Sequence, residues 1–227
     1  MKEEIKNIIK SKDLQEITTD LVEKVLDNEI TNDVIKEIPI LKSLIAVRNI
    51  YTSYTDRLFI KKTMNVLLEL GEISPDERIE LTSELDEEDE SGIEKILMAI
   101  DKLESIKKSK IYGRLCKLKA TAKISAWDFL RLTKLIQDCY LDDLILVTDF
   151  KPGENKEIYL VDYTSILSLG LIYQVVSEQT PIEKSEQYYE HDPEFKGGDI
   201  KFYYLLTDVG EALFKCYYDL FPEDKKE

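Results

Sequence analysis

Apolar residues that recur three and four positions apart are the feature that most constrains how this chain can fold. Residues 14–26 show this spacing, and residues 92–106 repeat it with Ile93, Ile96, Leu97, Ile100 and Leu103. The spacing places such side chains along one side of an α-helix. The 227 residues include only eight glycines and six prolines. Because both residue types destabilise helix interiors, their scarcity favours helix along most of the chain.

Start and stop signals divide this helical pattern into segments. Ser74, Pro75 and Glu77 form a capping-box sequence with proline at the first helical position. The sequence SAWD at 125–128 predicts a second helix start of the same kind. Gly71 is placed to end a helix, because glycine adopts the left-handed conformation that follows many helices. These signals predict a bundle of several helices over residues 1–150.

The pattern changes after about residue 150, where KPGEN predicts a turn. KEIYLV has strand character, DYTSILSLG reads as a short helix that ends at Gly170, and LIYQVV and IKFYYLL alternate as a β-pair does. Thr207 is placed to cap a closing helix. We therefore predict a mainly α protein. A helical bundle body (1–150) precedes a small α+β, winged-helix-like module (151–227).

The charge of this module argues against DNA reading, although the helix–hairpin–helix order is that of a winged helix. Residues 151–227 contain sixteen acidic and eight basic residues, and DYTSILSLG contains neither lysine nor arginine. A recognition helix needs basic or amide side chains at base edges, and phosphates are held by lysine and arginine. We expect no DNA binding by the module, in line with the net charge of −15 for the whole chain.

One segment has the opposite charge. Residues 102–123 contain eight basic residues and one acidic residue, whereas residues 72–94 contain eleven acidic residues and one basic residue. Two interpretations stay open: the two runs neutralise each other within the bundle, or the basic run forms an exposed face for an anionic partner. The candidate residues of this basic face are Lys107, Lys108, Lys110, Arg114, Lys117 and Lys119.

A second basic segment follows the apolar run IPILKSLIAV. Residues 39–62 contain five basic residues and one acidic residue, and such an amphipathic helix can lie on an anionic membrane surface. The candidate residues of this membrane face are Arg48, Arg57, Lys61 and Lys62. The alternative is a core helix whose charged heads reach solvent past apolar stems. The apolar run is too short and too charged to span a bilayer.

Known catalytic and metal-binding patterns are absent from the sequence. There is no P-loop, GxSxG, HExxH or GxGxxG motif. The single histidine, His191, has carboxylates at adjacent positions rather than at ligand spacing. Three separated cysteines without a CxxC pair predict buried free thiols in a reducing cytoplasm, and KEEIKNIIKSKD lacks a signal-peptide core. We expect a cytoplasmic protein that is not an enzyme and uses no metal or cofactor.

The segments IPI, DRLFIKK and ISAWDFLRL, in this order, resemble a broad set of uncharacterised bacterial helical proteins. The C-terminal LGLI and YYLLTDVGEAL resemble the degenerate winged-helix ends of many bacterial proteins. Such proteins occur in mobile-element and phage-defence contexts, so the resemblance implies an accessory or effector role. It transfers no catalytic residue to this chain.

The tyrosine distribution adds a functional expectation. Nine of the thirteen tyrosines lie at or after Tyr159, and tyrosine is enriched in protein interfaces. We therefore expect a non-enzymatic interaction or accessory protein that docks protein partners, or a second copy of itself, through the acidic, tyrosine-rich module. Two alternatives remain: a nucleic-acid-linked regulator that uses 102–123, and a membrane-surface effector that uses 38–62.

Overall fold

The computed structural model describes residues 54–176 and 202–225, together with Ile9, Ser11 and Leu14. In chain order its helices and strands are α1 (Tyr54–Gly71), α2 (Pro75–Glu84), α3 (Gly92–Lys102), α4 (Ile106–Ala120), α5 (Ala126–Asp138), α6 (Leu160–Ser168), β1 (Ile172–Val176), β2 (Phe202–Leu206) and α7 (Asp208–Leu220). Two 3₁₀ helices cover Leu141–Asp149 and Pro222–Asp224. The predicted fold class, mainly helical with a small α+β part near the C-terminus, is confirmed.

Side-chain caps begin several of these helices. At α2 the Ser74 side chain accepts a hydrogen bond from the Glu77 N–H, and the Glu77 carboxylate accepts one from the Ser74 N–H at 2.8 Å, so the predicted capping box is confirmed. At α5 the Ser125 hydroxyl accepts from the Asp128 N–H at 3.0 Å. A further capping box, Ser91 with Glu94, was not predicted. Glu94 is hard to recognise in the sequence as a capping residue, because it follows the many acidic residues of ELDEEDE.

The chain divides into two compact units, Met1–Asp142 with Lys215–Glu227, and Asp143–Phe214. The predicted boundary at 150/151 differs from this division, which also falls within α7. The physical reason for assigning residues after Lys215 to the helical unit lies in their contacts with it. Arg114 of α4 donates a hydrogen bond to the Leu220 carbonyl at 2.6 Å, and its guanidinium lies 3.2 Å from the Glu223 carboxylate.

In the helical unit, α1 and α4 pack closely because α4 carries a glycine at their interface. A β-carbon added at Gly113 would lie 3.0 Å from Cβ and Cγ of Glu69 and 3.1 Å from Cα of Val66. Met64 of α1 and Leu115 of α4 are completely buried. The absence of a side chain at Gly113 therefore sets how near the two helix backbones approach, and the core is built around this approach.

We expect Gly113→Val to lower the free energy of unfolding by about 1–3 kcal/mol, because the new methyl groups must displace Val66 and Glu69. Urea denaturation followed by circular dichroism measures the change. The control is Lys110→Val, which introduces the same residue one turn earlier at an exposed position. Equal unfolding free energies for the two variants would contradict the close packing inferred at Gly113.

Buried thiols of low reactivity occur in the same unit. Cys116, Cys139 and Cys216 are buried and form no disulfide, as predicted. Burial raises the pKa of Cys116 to about 12 and, with a further contribution from Asp219, that of Cys216 to about 12. Because the thiolate is the nucleophile and the metal ligand, neither of these two groups is poised for chemistry near neutral pH.

In the Asp143–Phe214 unit, β1 and β2 form an antiparallel pair in which Ile172 lies opposite Leu206, and Val176 opposite Phe202. Gly170, with φ of +69°, follows α6 and turns the chain into β1, as its predicted role as a helix stop requires. The Thr207 hydroxyl accepts a hydrogen bond from the Gly210 N–H at 3.1 Å and so caps α7 as predicted.

The predicted strand over KEIYLV is wrong. Lys156 alone forms a β-bridge, to Tyr204, and helix α6 begins at Leu160. The Lys156 ammonium donates to the Asp149 carbonyl at 2.7 Å and lies 5.0 Å and 5.3 Å from the ring centroids of Phe150 and Tyr163. These contacts hold Lys156 in place, while Leu160 and Val161 begin a short helix that Tyr159 directly precedes.

Candidate functional site

The basic residues of α4 do not form one continuous exposed face. Lys110, Arg114 and Lys117 are four and three positions apart and share one side of the helix. Lys107 is exposed and its ammonium lies 3.0 Å from the Asp142 carboxylate. Lys108 and Lys119 were predicted to belong to the same face, but both are buried.

The burial of these two lysines has a clear electrostatic reason. The Lys108 ammonium donates to the Gln137 carbonyl, near the C-terminal end of α5, at 2.8 Å and lies 3.2 Å from the Glu104 carboxylate. Lys119 forms an ion pair with Glu84 at the end of α2. Each positive charge is thus matched inside the helical unit, and the predicted six-residue face is corrected to exclude Lys108 and Lys119.

A groove of about 500 Å³ runs beside the remaining basic residues of α4. Its charged lining consists of Lys110, Arg114, Lys117, Lys123, Glu69, Glu72 and Asp219. Lys117 pairs with Glu72, and the Lys123 ammonium lies 3.7 Å from the Asp219 carboxylate. The basic and acidic side chains of the groove nearly balance, so the groove does not present the positive field that a polyanion requires.

Arg114 lines this groove and is mostly buried. Its Nε lies 3.4 Å from the Glu69 carboxylate, and its Nη1 contacts both Glu223 and the Leu220 carbonyl. Burial raises the pKa of Glu69, although Arg114 acts in the opposite direction. Burial acts to raise the pKa of Glu223 as well. The backbone N–H of Glu223 and the charge of Arg114 together have the larger effect, so the pKa of Glu223 is lowered. Arg114 is therefore a structural connector between α1 and the end of α7.

The raised pKa of Glu69 predicts a pH effect on stability. The Glu69 carboxyl group stays protonated to a higher pH in the folded state than in the unfolded state. Its contribution to the free energy of unfolding is therefore fully present below the ordinary carboxyl pKa and is lost as the pH rises through the pKa of the folded state. We expect the wild-type chain to lose stability relative to Glu69→Gln over this interval. Urea unfolding midpoints of the wild type and Glu69→Gln, measured from pH 4 upward, test this expectation. A difference between the two midpoints that does not change with pH would contradict the raised pKa of Glu69.

The candidate membrane face is only partly exposed. Arg48 lies outside the described residues, Arg57 is exposed and Lys61 is half-buried. Lys62 is 4% exposed, and its ammonium donates to the carbonyls of Leu103 at 2.7 Å and Asp101 at 3.0 Å. Lys62 cannot contact a lipid headgroup from this position, so it is removed from the predicted face. Within the part of the chain that the structure describes, no helix is long and apolar enough to cross a membrane.

The pairing of most α4 cations within the helical unit predicts weak nucleic-acid binding. We expect the full-length chain to show no binding to a labelled duplex at about 150 mM salt and micromolar protein, because most basic side chains of α4 already pair with acidic groups or carbonyls of the helical unit. Fluorescence anisotropy measures it, with a titration at low salt to detect weak contacts. Submicromolar, sequence-selective binding at the higher salt concentration would show that these ion pairs open to receive a phosphate backbone.

Candidate metal ligands are not grouped in the residues described. Among them, no group of three or more histidine, cysteine, aspartate or glutamate side chains is placed to hold a metal ion. His191 lies outside the described residues. Tyr163 donates a hydrogen bond to Asp149 at 2.8 Å, and the raised pKa of its hydroxyl, due to burial and to Asp149, keeps it protonated. This pair joins α6 to the segment before it.

An apolar sheet face in the Asp143–Phe214 unit is the clearest candidate for a binding site. The register places Tyr173 opposite Leu205 and Val175 opposite Tyr203, so these four side chains share one face. Tyr173 and Val175 are 44% and 36% exposed, and Leu205 and Tyr203 are half-buried. On the other face, Ile172, Tyr204 and Leu206 are buried, whereas Val176 and Phe202 at the far end of the sheet are exposed. We call the four-residue set the apolar sheet face.

The sequence contained the elements of this site but not their grouping. LIYQVV and IKFYYLL were predicted to pair, yet the register that places Tyr173 beside Leu205 depends on how the two strands align. A shift of one residue would exchange the buried and exposed faces. Comparison of the chain with family models, with curated proteins and with solved structures gives no match.

Proposed function

We propose that this chain is a non-enzymatic interaction or accessory protein that docks a protein partner through the apolar sheet face. The observation that carries the proposal is the exposure of Tyr173 and Val175 beside Tyr203 and Leu205 on one side of a two-stranded sheet. A contiguous exposed apolar surface is commonly an interaction site in a soluble protein.

The composition of the face supports a protein partner. Tyrosine combines a large apolar ring with a hydroxyl that stays hydrogen-bonded, so it can be buried in an interface and solvated outside it. Further apolar side chains are exposed at the start of α6, where Tyr159 and Val161 are each 87% exposed. The proposal therefore refines the expected acidic, tyrosine-rich docking surface to defined residues of this unit.

The two alternatives receive less support from the geometry. Lys108, Lys119 and Arg114 are held by groups of the helical unit, which weakens a nucleic-acid role, and the burial of Lys62 weakens a membrane-surface role. We place the protein in the cytoplasm, because free thiols are typical of reducing compartments. A role in phage defence or mobile elements rests on the resemblance alone.

A photo-cross-linking experiment tests the docking site. p-Benzoylphenylalanine is placed at Tyr173 in cells that naturally express the protein, and the covalent adduct formed under ultraviolet light is identified by mass spectrometry. We expect a discrete protein adduct at Tyr173 and at Tyr203, because both side chains lie on the apolar sheet face.

The matched control is the same photoreactive residue at Glu154, which is exposed in a turn of the same unit. We expect no discrete adduct there. The proposal fails if Tyr173 and Tyr203 give no protein adduct, or if Glu154 gives the same adducts with the same yield.

A further inference from the structure

We infer that the partner binds as an extended segment that adds a third strand to the free edge of β1. This inference rests on the proposed function and specifies how the partner docks. The segment would alternate apolar and basic side chains, with the apolar residues continuing the apolar sheet face. Three observations carry it: the direction of the β1 backbone groups, the sequence of β1 and the charge of the unit.

The first observation is the pairing of β2. The N–H and C=O groups of Tyr204 both bond Lys156, at 2.9 Å and 3.0 Å, so they point away from β1. Gln174 lies opposite Tyr204, so these two residues form a non-hydrogen-bonded pair of the antiparallel sheet. The N–H and C=O groups of Gln174, and those of Val176 two residues on, point toward the outer edge of β1.

That outer edge is open in the part of the chain described. The sheet there has two strands, and β1 has β2 as its one neighbour. The bridge from Lys156 occupies the outer edge of β2 at Tyr204, so the two edges are not equivalent. Unpaired backbone donors and acceptors along an edge form a template for a further strand.

The second observation is the sequence of β1, IYQVV. Exposed edge strands usually carry lysine, proline, a bulge or an inward-pointing charge that prevents pairing with other chains. β1 has no charged residue and no proline, and its register with β2 is regular over all five pairs. An edge with these properties suits β-strand addition, in which backbone hydrogen bonds give affinity and alternate side chains give specificity.

The third observation is charge, which identifies the chemistry of the added segment. The described residues of the unit contain two basic side chains, Lys151 and Lys156, and the Lys156 ammonium is already bound to the Asp149 carbonyl. Its acidic side chains are Asp143, Asp149, Glu154, Glu157, Asp162, Asp208 and Glu211. A segment with lysine or arginine at alternate positions is complementary to this unit, whereas a second copy would bring like charge to like.

A proline substitution at Gln174 distinguishes strand addition at the edge of β1 from binding by side-chain contact with the apolar sheet face. Proline removes the outward N–H and is tolerated at edge positions whose N–H faces away from the sheet. Gln174→Ala is the matched control, because it removes the side chain and keeps the N–H. Each is combined with the photoreactive residue at Tyr173 in the full chain, and thermal unfolding verifies that both variants fold.

We expect the Tyr173 adduct to fall at least tenfold in Gln174→Pro and to stay within about twofold in Gln174→Ala, as loss of edge hydrogen bonds requires. Val176→Pro, which removes the next outward N–H, is the second variant if Gln174→Pro unfolds, and we expect the same loss. An undiminished adduct in the folded proline variant would overturn strand addition and leave the proposed docking face standing. If the chain with the photoreactive residue at Tyr173 and no other substitution forms no adduct, the proposed function itself is contradicted.

A peptide titration tests the chemistry of the added strand. The probes are two fluorescein-labelled nonapeptides, one alternating valine with lysine and the other valine with glutamate. We expect the lysine peptide to bind the full chain at least about tenfold more tightly than the glutamate peptide, and to lose that affinity with Gln174→Pro. Binding of neither peptide, or of both equally, overturns the inference. Dimerisation through β1 in place of peptide binding, seen by analytical ultracentrifugation, overturns it in favour of self-pairing.

Discussion

The close approach of α1 and α4 is the contact on which the helical unit depends. With no side chain at Gly113, the backbone of α4 comes near Val66 and Glu69, and this proximity places Arg114 within reach of the Glu69 carboxylate. Arg114 then binds the Leu220 carbonyl and Glu223, so the end of α7 is held through the same pair of helices. Steric fit comes first here, and the electrostatic contacts follow from it.

The charge pattern of the sequence has a structural meaning that composition alone leaves ambiguous. The acidic run after α1 and the basic run of α4 meet as ion pairs, Lys117 with Glu72 and Lys119 with Glu84. Such pairs contribute little when exposed. Their main consequence is that α4 does not present a broad positive surface.

Helices and their caps could be predicted from the sequence because their signals are local. Ser74 with Glu77 and Thr207 each act within a few residues, and both caps were identified. α1 also ends at Gly71, as predicted, but Gly71 is the last residue of the helix and does not adopt the left-handed conformation. The burial of Lys62, Lys108 and Lys119 could not be predicted, because their partners lie 41, 29 and 35 residues away. The apolar sheet face was missed for the same reason: strand register is fixed by alignment between distant segments, and KEIYLV shows that strand-like composition does not decide the local structure.

The buried thiols have a practical consequence for work on this protein. Cys116, Cys139 and Cys216 are enclosed by the helical unit, and Cys116 and Cys216 hold their protons far above neutral pH. A maleimide reagent reacts with accessible thiolate, so we expect it to label the native cysteines of the folded wild-type chain very little. A single cysteine introduced on the surface would then accept a fluorophore or spin label without removal of the native cysteines, which allows distance and mobility measurements on an otherwise unaltered core.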